Sequence, residues 1–386
     1  MIPYSKQLIE QDDIDALCST LRSSHLTQGE MTKAFESALR ERCHARYAIT
    51  FNSATSALYA LYGAFMYKYF PHLCNPYDNT QAEEIYFVTS PISFVATTNM
   101  MLQWGIKPIF CDIKDDGNID EKALESLLQT HNKKSYIKAI VSVDYGGKSV
   151  EIESLRALAQ KHHLLLFSDS SHSFGGSYNK APIGSLADAT IFSFHALKPI
   201  TTAEGGALLT NDEQLAHYAR LLLSHGVEKQ SLWHYDCSLV GANFRLNELG
   251  AALGLSQLKK IDRFIAHRHQ IALFYDDTFK GNAHFQTIPI DSHIISSHHL
   301  YPILLSSHLH SHKESIFQAL QEQGLGVQVH YKPIYQFSLY KKLFGELSLP
   351  KTEHFYRSTL SIPCHQDLSM AQAKEIADIV REVCKI

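Results

Sequence analysis

The chain has little that would direct it to a membrane, to nucleic acid or out of the cell. Its first residues, Met1-Ile2-Pro3-Tyr4-Ser5-Lys6, lack the apolar stretch of a signal peptide, and no apolar run is long enough to span a bilayer. Charge of one sign is not in excess. With 35 Lys and Arg against 39 Asp and Glu the net charge is -4, which gives no broad attraction to polyanions or anionic lipid. Paired cysteines are missing as well: the seven present, Cys18, Cys43, Cys74, Cys111, Cys237, Cys364 and Cys384, are scattered without zinc-type or redox-type spacing. Reduced thiols and a cytoplasmic location are the expectation, with small molecules as partners and neither nucleic acid nor membrane. Repeats and low-complexity tracts are also absent, and the Pro- and Asn-containing stretch from Phe70 to Thr80 reads as a surface loop.

What is present is a core. A chain of 386 residues with 45% hydrophobic and 19% charged residues is globular and too long for one hydrophobic core, so two domains are expected. Short apolar runs alternate with helical stretches: Tyr47 to Phe51, Ile85 to Val88, Pro108 to Cys111, Ile137 to Val143, Leu164 to Phe167, Thr190 to Phe194 and Ala207 to Leu209. That rhythm predicts an α/β fold with a mostly parallel central sheet and helices on both faces. From Leu246 to about Phe274 the composition reads as one long helix, after which the rhythm restarts weakly. A large domain over residues 1–255 and a smaller C-terminal α/β domain over 256–386 follow, the second including the end of the linking helix.

Ligands of such sheets sit beyond the carboxyl ends of the strands, which directs attention to four segments. Asn52-Ser53-Ala54-Thr55-Ser56 opens a helix, where free backbone N–H groups suit a phosphate; a plain N-cap by Ser53 or Thr55 is the commoner reading of these residues taken alone. Asp169 ends an apolar strand, as a carboxylate for a protonated ring nitrogen or as the cap of the next turn. Lys198 follows a buried strand and is hemmed in by Pro, Thr and paired glycines. A buried amine there is relieved by an imine to an aldehyde cofactor, and a surface lysine on a turn is the alternative. Ser193 precedes it and could add a hydroxyl to the phosphate. In Gly241-Ala242-Asn243-Phe244-Arg245-Leu246-Asn247-Glu248, Asn243 and Arg245 could bind an anion, while Asn247 and Glu248 could complete a cap.

Together these motifs, with Ser90-Pro91-Ile92-Ser93-Phe94-Val95-Ala96-Thr97, Val143-Asp144-Tyr145-Gly146-Gly147-Lys148-Ser149-Val150 and Val329-His330-Tyr331-Lys332-Pro333-Ile334-Tyr335, resemble the sugar-nucleotide aminotransferases of the DegT/DnrJ/EryC1/StrS group. Those are fold-type I pyridoxal-phosphate enzymes, and the wording here is closest to the pseudaminic-acid branch. The resemblance implies pyridoxal 5'-phosphate held covalently by Lys198, with Asp169 at the ring nitrogen, Phe94 on the ring face and His172 beside the ring hydroxyl. It implies a phosphate held by Ser53, Ala54, Thr55 and Ser193, with Asn243 reaching in from a second subunit of a homodimer. Substrate contacts are implied at Tyr4, Ser24, His25, Leu26, Thr27, Ala54, Ser193, Asn243, His330, Tyr331, Lys332 and Pro333. The implied reaction passes an amino group from L-glutamate to C4 of a UDP-keto-sugar. One branch of the group replaces the lysine by histidine for deoxygenation, and Lys198 favours transamination. A different 4-keto sugar nucleotide, or a non-catalytic pyridoxal-phosphate-binding regulator, are the alternative readings.

Other features lead elsewhere. His308, His310 and His312 would share one face of a strand, but no carboxylate or cysteine lies near them in sequence and no metal is expected. His162-His163 reads as charge at a helix C-terminus. Glu204-Gly205-Gly206 is too short for a dinucleotide fingerprint. The segment from Tyr67 to Glu84 follows no pattern of the group and receives no function.

Overall fold

The computed structural model describes residues 1–74 and 83–385. Of the expected surface loop, Pro71–Cys74 form a 3-10 turn, and residues 75–82 lie outside the described residues.

All seven apolar runs are strands of one sheet: β1 (Tyr47–Phe51), β2 (Ile85–Thr89), β3 (Ile106–Phe110), β4 (Ile137–Val143), β5 (Leu165–Asp169), β6 (Ala189–Ser193) and β7 (Gly206–Thr210). Their order across the sheet is β1-β7-β6-β5-β4-β2-β3. Neighbours from β6 to β3 pair in parallel, whereas β7 runs against both β6 and β1. Strands buried on both faces carry near-continuous apolar sequence, as β6 does in Ala-Thr-Ile-Phe-Ser, and this made them legible.

Both faces are covered. On one, the helix Ala54–Tyr69 lies almost wholly buried against the helix Glu213–Leu223 and against Phe51, Phe87 and Phe167 of the sheet. On the other, Phe35 and Leu39 of the helix Glu30–Cys43 meet Ala251 and Leu258, together with Phe192 and Leu209 from the strands. Burying a Phe or Leu fully is worth about 1.5–3 kcal/mol, so these layers hold the strand ends in fixed positions.

The single long helix expected from Leu246 to Phe274 is two. The first spans Glu248–Leu258 and the second Ile261–Phe279, with Lys259 and Lys260 between them. The Lys260 ammonium meets Asp12 and Asp13, each at 2.8 Å, so the break is anchored to the first helix, Gln11–Leu21. Continuous helical composition concealed it, because a turn of two lysines carries no Gly or Pro. The second helix gives Ile261, Phe264 and Ile265 to the large core, then Ile271, Tyr275 and Phe279 to a smaller one. That smaller core lies under an antiparallel sheet of β8 (Phe285–Thr287), β9 (Tyr301–Leu305) and β10 (Thr359–Ile362), flanked by the helices Lys313–Glu322 and Met370–Val383.

Candidate active site

Strand ends β1, β4, β5 and β6 converge with the N-terminal segment and residues 328–332 on a cavity of about 680 Å³. Its walls include Ser53, Ala54, Thr55, Phe94, Asp169, His172, Ser193, Lys198 and Tyr331.

Ser53 caps the helix Ala54–Tyr69, its Oγ accepting from Ser56 N at 3.1 Å. Capping removes only one of the free donors, so a cap does not preclude an anion cradle: Ala54 and Thr55, the first residues of the helix, line the cavity beside Ser193. Gly206 makes this junction possible, since a Cβ there would lie 2.5 Å from Ala54 N.

Asp169, the last residue of β5, is 6% exposed. One oxygen accepts from Thr97 Oγ1 at 2.7 Å, the other from Ser171 Oγ at 2.6 Å and Ser171 N at 3.2 Å. Among the described residues no Lys, Arg or His forms an ion pair with it. A buried carboxylate held by hydroxyls alone is costly unless a cation completes it. Below it lies a second carboxylate, Asp144, which accepts from Ser170 Oγ at 2.8 Å, Ser173 Oγ at 2.6 Å and Val150 N at 3.0 Å. Burial raises its pKa, against those hydrogen bonds.

Lys198 sits in the connection from β6 to β7. Thr201 Oγ1 and Thr202 N donate to Phe194 O at 3.1 and 2.9 Å, Thr202 Oγ1 donates to Glu204 O at 2.8 Å, and Ser5 Oγ donates to Leu197 O at 2.8 Å. The turn closes through Ala203 in the left-handed region, φ 67°. So fixed, the lysine presents its amine to the cavity, and desolvation pulls its pKa down to about 8 against the opposing pull of Asp169. An amine so tuned is a nucleophile and a proton carrier near neutral pH. Beside it, Gly146 N donates to His172 Nδ1 at 3.3 Å, which leaves Nε2 as the donor to Tyr331 OH at 3.0 Å.

An amine, an isolated carboxylate and an anion cradle around one cavity match a cofactor bearing an aldehyde, a basic ring nitrogen and a phosphate. The family model described as the DegT/DnrJ/EryC1/StrS aminotransferase family matches residues 7–381. The chain belongs to that aminotransferase family. This aminotransferase is 45% identical over 378 residues, covering 98% of its own chain and 96% of the relative's, to the UDP-4-amino-4,6-dideoxy-N-acetyl-beta-L-altrosamine transaminase of Campylobacter jejuni subsp. jejuni serotype O:23/36 (strain 81-176). Among solved structures it is similar to Helicobacter pylori PseC, an aminotransferase involved in the biosynthesis of pseudoaminic acid, with TM-score 0.92 and 44% identity over 100% of this chain and 99% of that one. Spr1654 from Streptococcus pneumoniae, in its PMP-form, superposes with TM-score 0.90 at 26% identity, over 100% of this chain and 99% of that one.

Within the aminotransferase, Tyr4, His330, Tyr331 and Lys332 also line the cavity. Tyr145 OH donates to His330 O at 2.7 Å, and burial pushes the His330 imidazole down to about 3. Six expected contacts do not line this cavity. Ser24, His25, Leu26 and Thr27 are exposed and lie beside Asn247 and Glu248, where Glu248 N donates to Leu26 O at 3.0 Å. Asn243 is exposed and absent from its own chain's cavity, and Pro333 is buried behind the wall. Asn243 was expected to act from a second subunit and not in the cavity of its own chain. Asn247 is the N-cap of the helix Glu248–Leu258, accepting from Gly250 N at 2.8 Å. Glu248 instead caps a different helix, Glu30–Cys43, by accepting from Met31 N at 2.7 Å and Thr32 N at 3.2 Å. Arg245 donates to Ser224 Oγ at 2.7 Å.

Several cavity residues escaped the sequence reading: Thr97, Ser171, Glu204, Gln328, Phe337 and His299. Thr97 had a signal in its segment, but His299 arrives from 101 residues beyond Lys198 with no motif around it. Ser307–His312 form a 3-10 turn, so the three alternating histidines do not share a strand face, and no group of metal-ligating side chains occurs among the described residues.

Proposed function

We propose that this aminotransferase binds pyridoxal 5'-phosphate and moves an amino group from L-glutamate to C4 of UDP-2-acetamido-2,6-dideoxy-β-L-arabino-hexos-4-ulose, yielding the product named in its Campylobacter relative, UDP-4-amino-4,6-dideoxy-N-acetyl-β-L-altrosamine. The observation that carries the chemistry is Asp169, a buried carboxylate with no ion-pair partner among the described residues, on the wall that also bears the Lys198 amine. The sugar rests on the relatives: identity of 45% over nearly the full chain and the PseC superposition.

When bound, the cofactor supplies an aldehyde carbon for the amino group and a protonated ring that accepts the electrons of the broken C–H bond. The protein does the rest. Lys198 Nζ would hold the aldehyde, and as a free amine it would take the proton from the substrate carbon and deliver it back. The Asp169 carboxylate would keep the ring nitrogen protonated. Helix-start N–H groups at Ala54 and Thr55, with Ser193 Oγ, would hold the phosphate, and Phe94, 61% exposed over the cavity, would cover one ring face. His172 would lie beside the ring hydroxyl, and Tyr4, His330, Tyr331 and Lys332 would meet the sugar nucleotide.

A homodimer with shared sites is part of the reading. Its support is a hairpin, Val227–Lys229 with Tyr235–Cys237, that exposes Leu232 at 91% and Trp233 at 84%, together with the surface positions of Asn243 and Ser24 to Thr27. Apolar residues so exposed suit burial against a second copy. Cytoplasmic residence accords with seven unbridged thiols.

A coupled assay tests the substrate. Glutamate should bleach the lysine-bound chromophore, and the named keto-sugar should restore it. A rival 4-keto sugar nucleotide turned over as well or better would overturn the substrate. A coloured protein indifferent to every amino donor would instead be a regulator.

A further inference from the structure

His299 stands against the reactive amine and was not anticipated from the sequence. Its Nε2 lies 3.4 Å from Lys198 Nζ, and its ring is 4.5 Å from that of His172. The side chain is nearly inaccessible, at 4% exposure, and among the described residues nothing hydrogen-bonds its Nδ1. The groups facing it are Lys198, His172, His330 and Arg268, all of which oppose a positive charge, as does burial itself; the imidazole is therefore held neutral, far below its ordinary pKa.

The backbone is bent to place it there. His298, immediately before, adopts φ 45°, a left-handed conformation unusual for a residue with a side chain. Arg268, fully buried in the second long helix, donates through Nη1 to His298 O at 3.0 Å and to Cys364 O at 2.7 Å, and through Nε to Gln366 Oε1 at 2.9 Å. Leu300 N donates to Gly146 O at 3.0 Å, and Ser297 Oγ donates to His172 O at 2.5 Å. The loop is thus fastened on both sides of His299.

We propose that His299 is a positioning residue that receives the Lys198 amine whenever that amine is not bonded to the cofactor. This rests on the reading of Lys198 as the cofactor-bearing lysine. The argument is one of valence. An ammonium needs an acceptor, and a neutral amine is best aimed by a donor. A neutral imidazole can be either at Nε2, depending on which nitrogen carries its proton. Because no group among the described residues fixes Nδ1, neither tautomer is imposed, and one side chain serves both protonation states of the lysine. A carboxylate in that place would hold the ammonium as an ion pair and block attack on an aldehyde. Asp169 is the acid facing Lys198, and its oxygens are already directed by Thr97 and Ser171.

Two substitutions of equal length separate this from packing. His299→Gln keeps a polar tip with both donor and acceptor, whereas His299→Met is apolar. The cofactor-free protein is labelled at lysine with acetic anhydride over a pH series, and the Lys198 peptide is quantified by mass spectrometry. In H299Q the labelling midpoint should stay within about 0.3 units of the parent. In H299M the ammonium loses its acceptor, and the midpoint should fall by about one unit, the shift of one hydrogen bond. With cofactor added well above both midpoints, at about pH 9.5 where the amine is neutral in either variant, capture by H299M should slow about tenfold relative to H299Q, because only H299Q keeps a donor to aim it. Midpoints unmoved in both, or moved equally in both, would overturn the proposal, as would failure of both variants to fold. The cofactor reading fails separately, if the covalent adduct is found on a lysine other than Lys198.

Discussion

Thr97 Oγ1 donates to Asp169 Oδ2 across 2.7 Å, joining the start of the helix Ala96–Gln103 to the carboxyl end of β5. Ser93 Oγ lies 2.7 Å from the same hydroxyl, so a short relay leads from the loop after β2 to the carboxylate. Thr97→Val keeps the shape and removes the donor. A hydrogen bond to a charged group contributes about 1.5–3 kcal/mol, so cofactor affinity should fall by roughly 10- to 100-fold with the far-ultraviolet spectrum unchanged. Equilibrium dialysis of the cofactor checks it, and unchanged affinity would remove Asp169 from the ring-nitrogen role.

The depressed basicity of Lys198 sets a pH profile for cofactor capture. Below its pKa of about 8 the neutral fraction rises tenfold per pH unit, and above it the fraction saturates. Stopped-flow appearance of the lysine-bound chromophore in cofactor-free protein should therefore climb to about pH 8 and then level. A rate still rising at pH 10 would mean an amine with its ordinary basicity.

Phe94 is a large apolar side chain left exposed at the cavity. If it serves a ring, Phe94→Ala should weaken cofactor binding about 3- to 10-fold, the worth of one aromatic stack, while leaving the melting temperature of the cofactor-free protein within about 1 °C. A loss of stability without a loss of affinity would make Phe94 a packing residue.

Glu248 tests the scaffold. Burial raises its pKa, but the Thr32 hydroxyl and the N–H groups of Gly29, Met31 and Thr32 outweigh that and hold it below the ordinary value. A carboxylate with a depressed folded pKa contributes stability fully above its unfolded value, and the contribution is lost as pH falls through the lower folded one. Glu248→Ala should cost about 1–2 kcal/mol at pH 7 by urea denaturation, as for a lost helix cap, and the difference should shrink below about pH 4. An equal difference at both pH values would show that the cap is not electrostatic.

The sheet was legible because its strands are buried on both faces and so carry unbroken apolar runs; each expected run falls on a strand within two residues. The break at Lys259 and Lys260 was not, since both residues are good helix formers and the contacts that accompany the turn, from Lys260 to Asp12 and Asp13, come from a distant helix. In the site, Ser53, Asp169 and Lys198 could be found because each lies at or within five residues of the carboxyl end of a legible strand of the central sheet. His299 could not. It is brought in by a buried arginine and a left-handed residue in a connection with no pattern of its own.

Reduction of the cofactor-loaded protein with borohydride, followed by peptide mass analysis, bears most directly on the central claim. A phosphopyridoxyl group on Lys198, and none in Lys198→Ala, is the expected result. Recovery of the adduct on any other lysine, or its persistence in the variant, would contradict the assignment of the site.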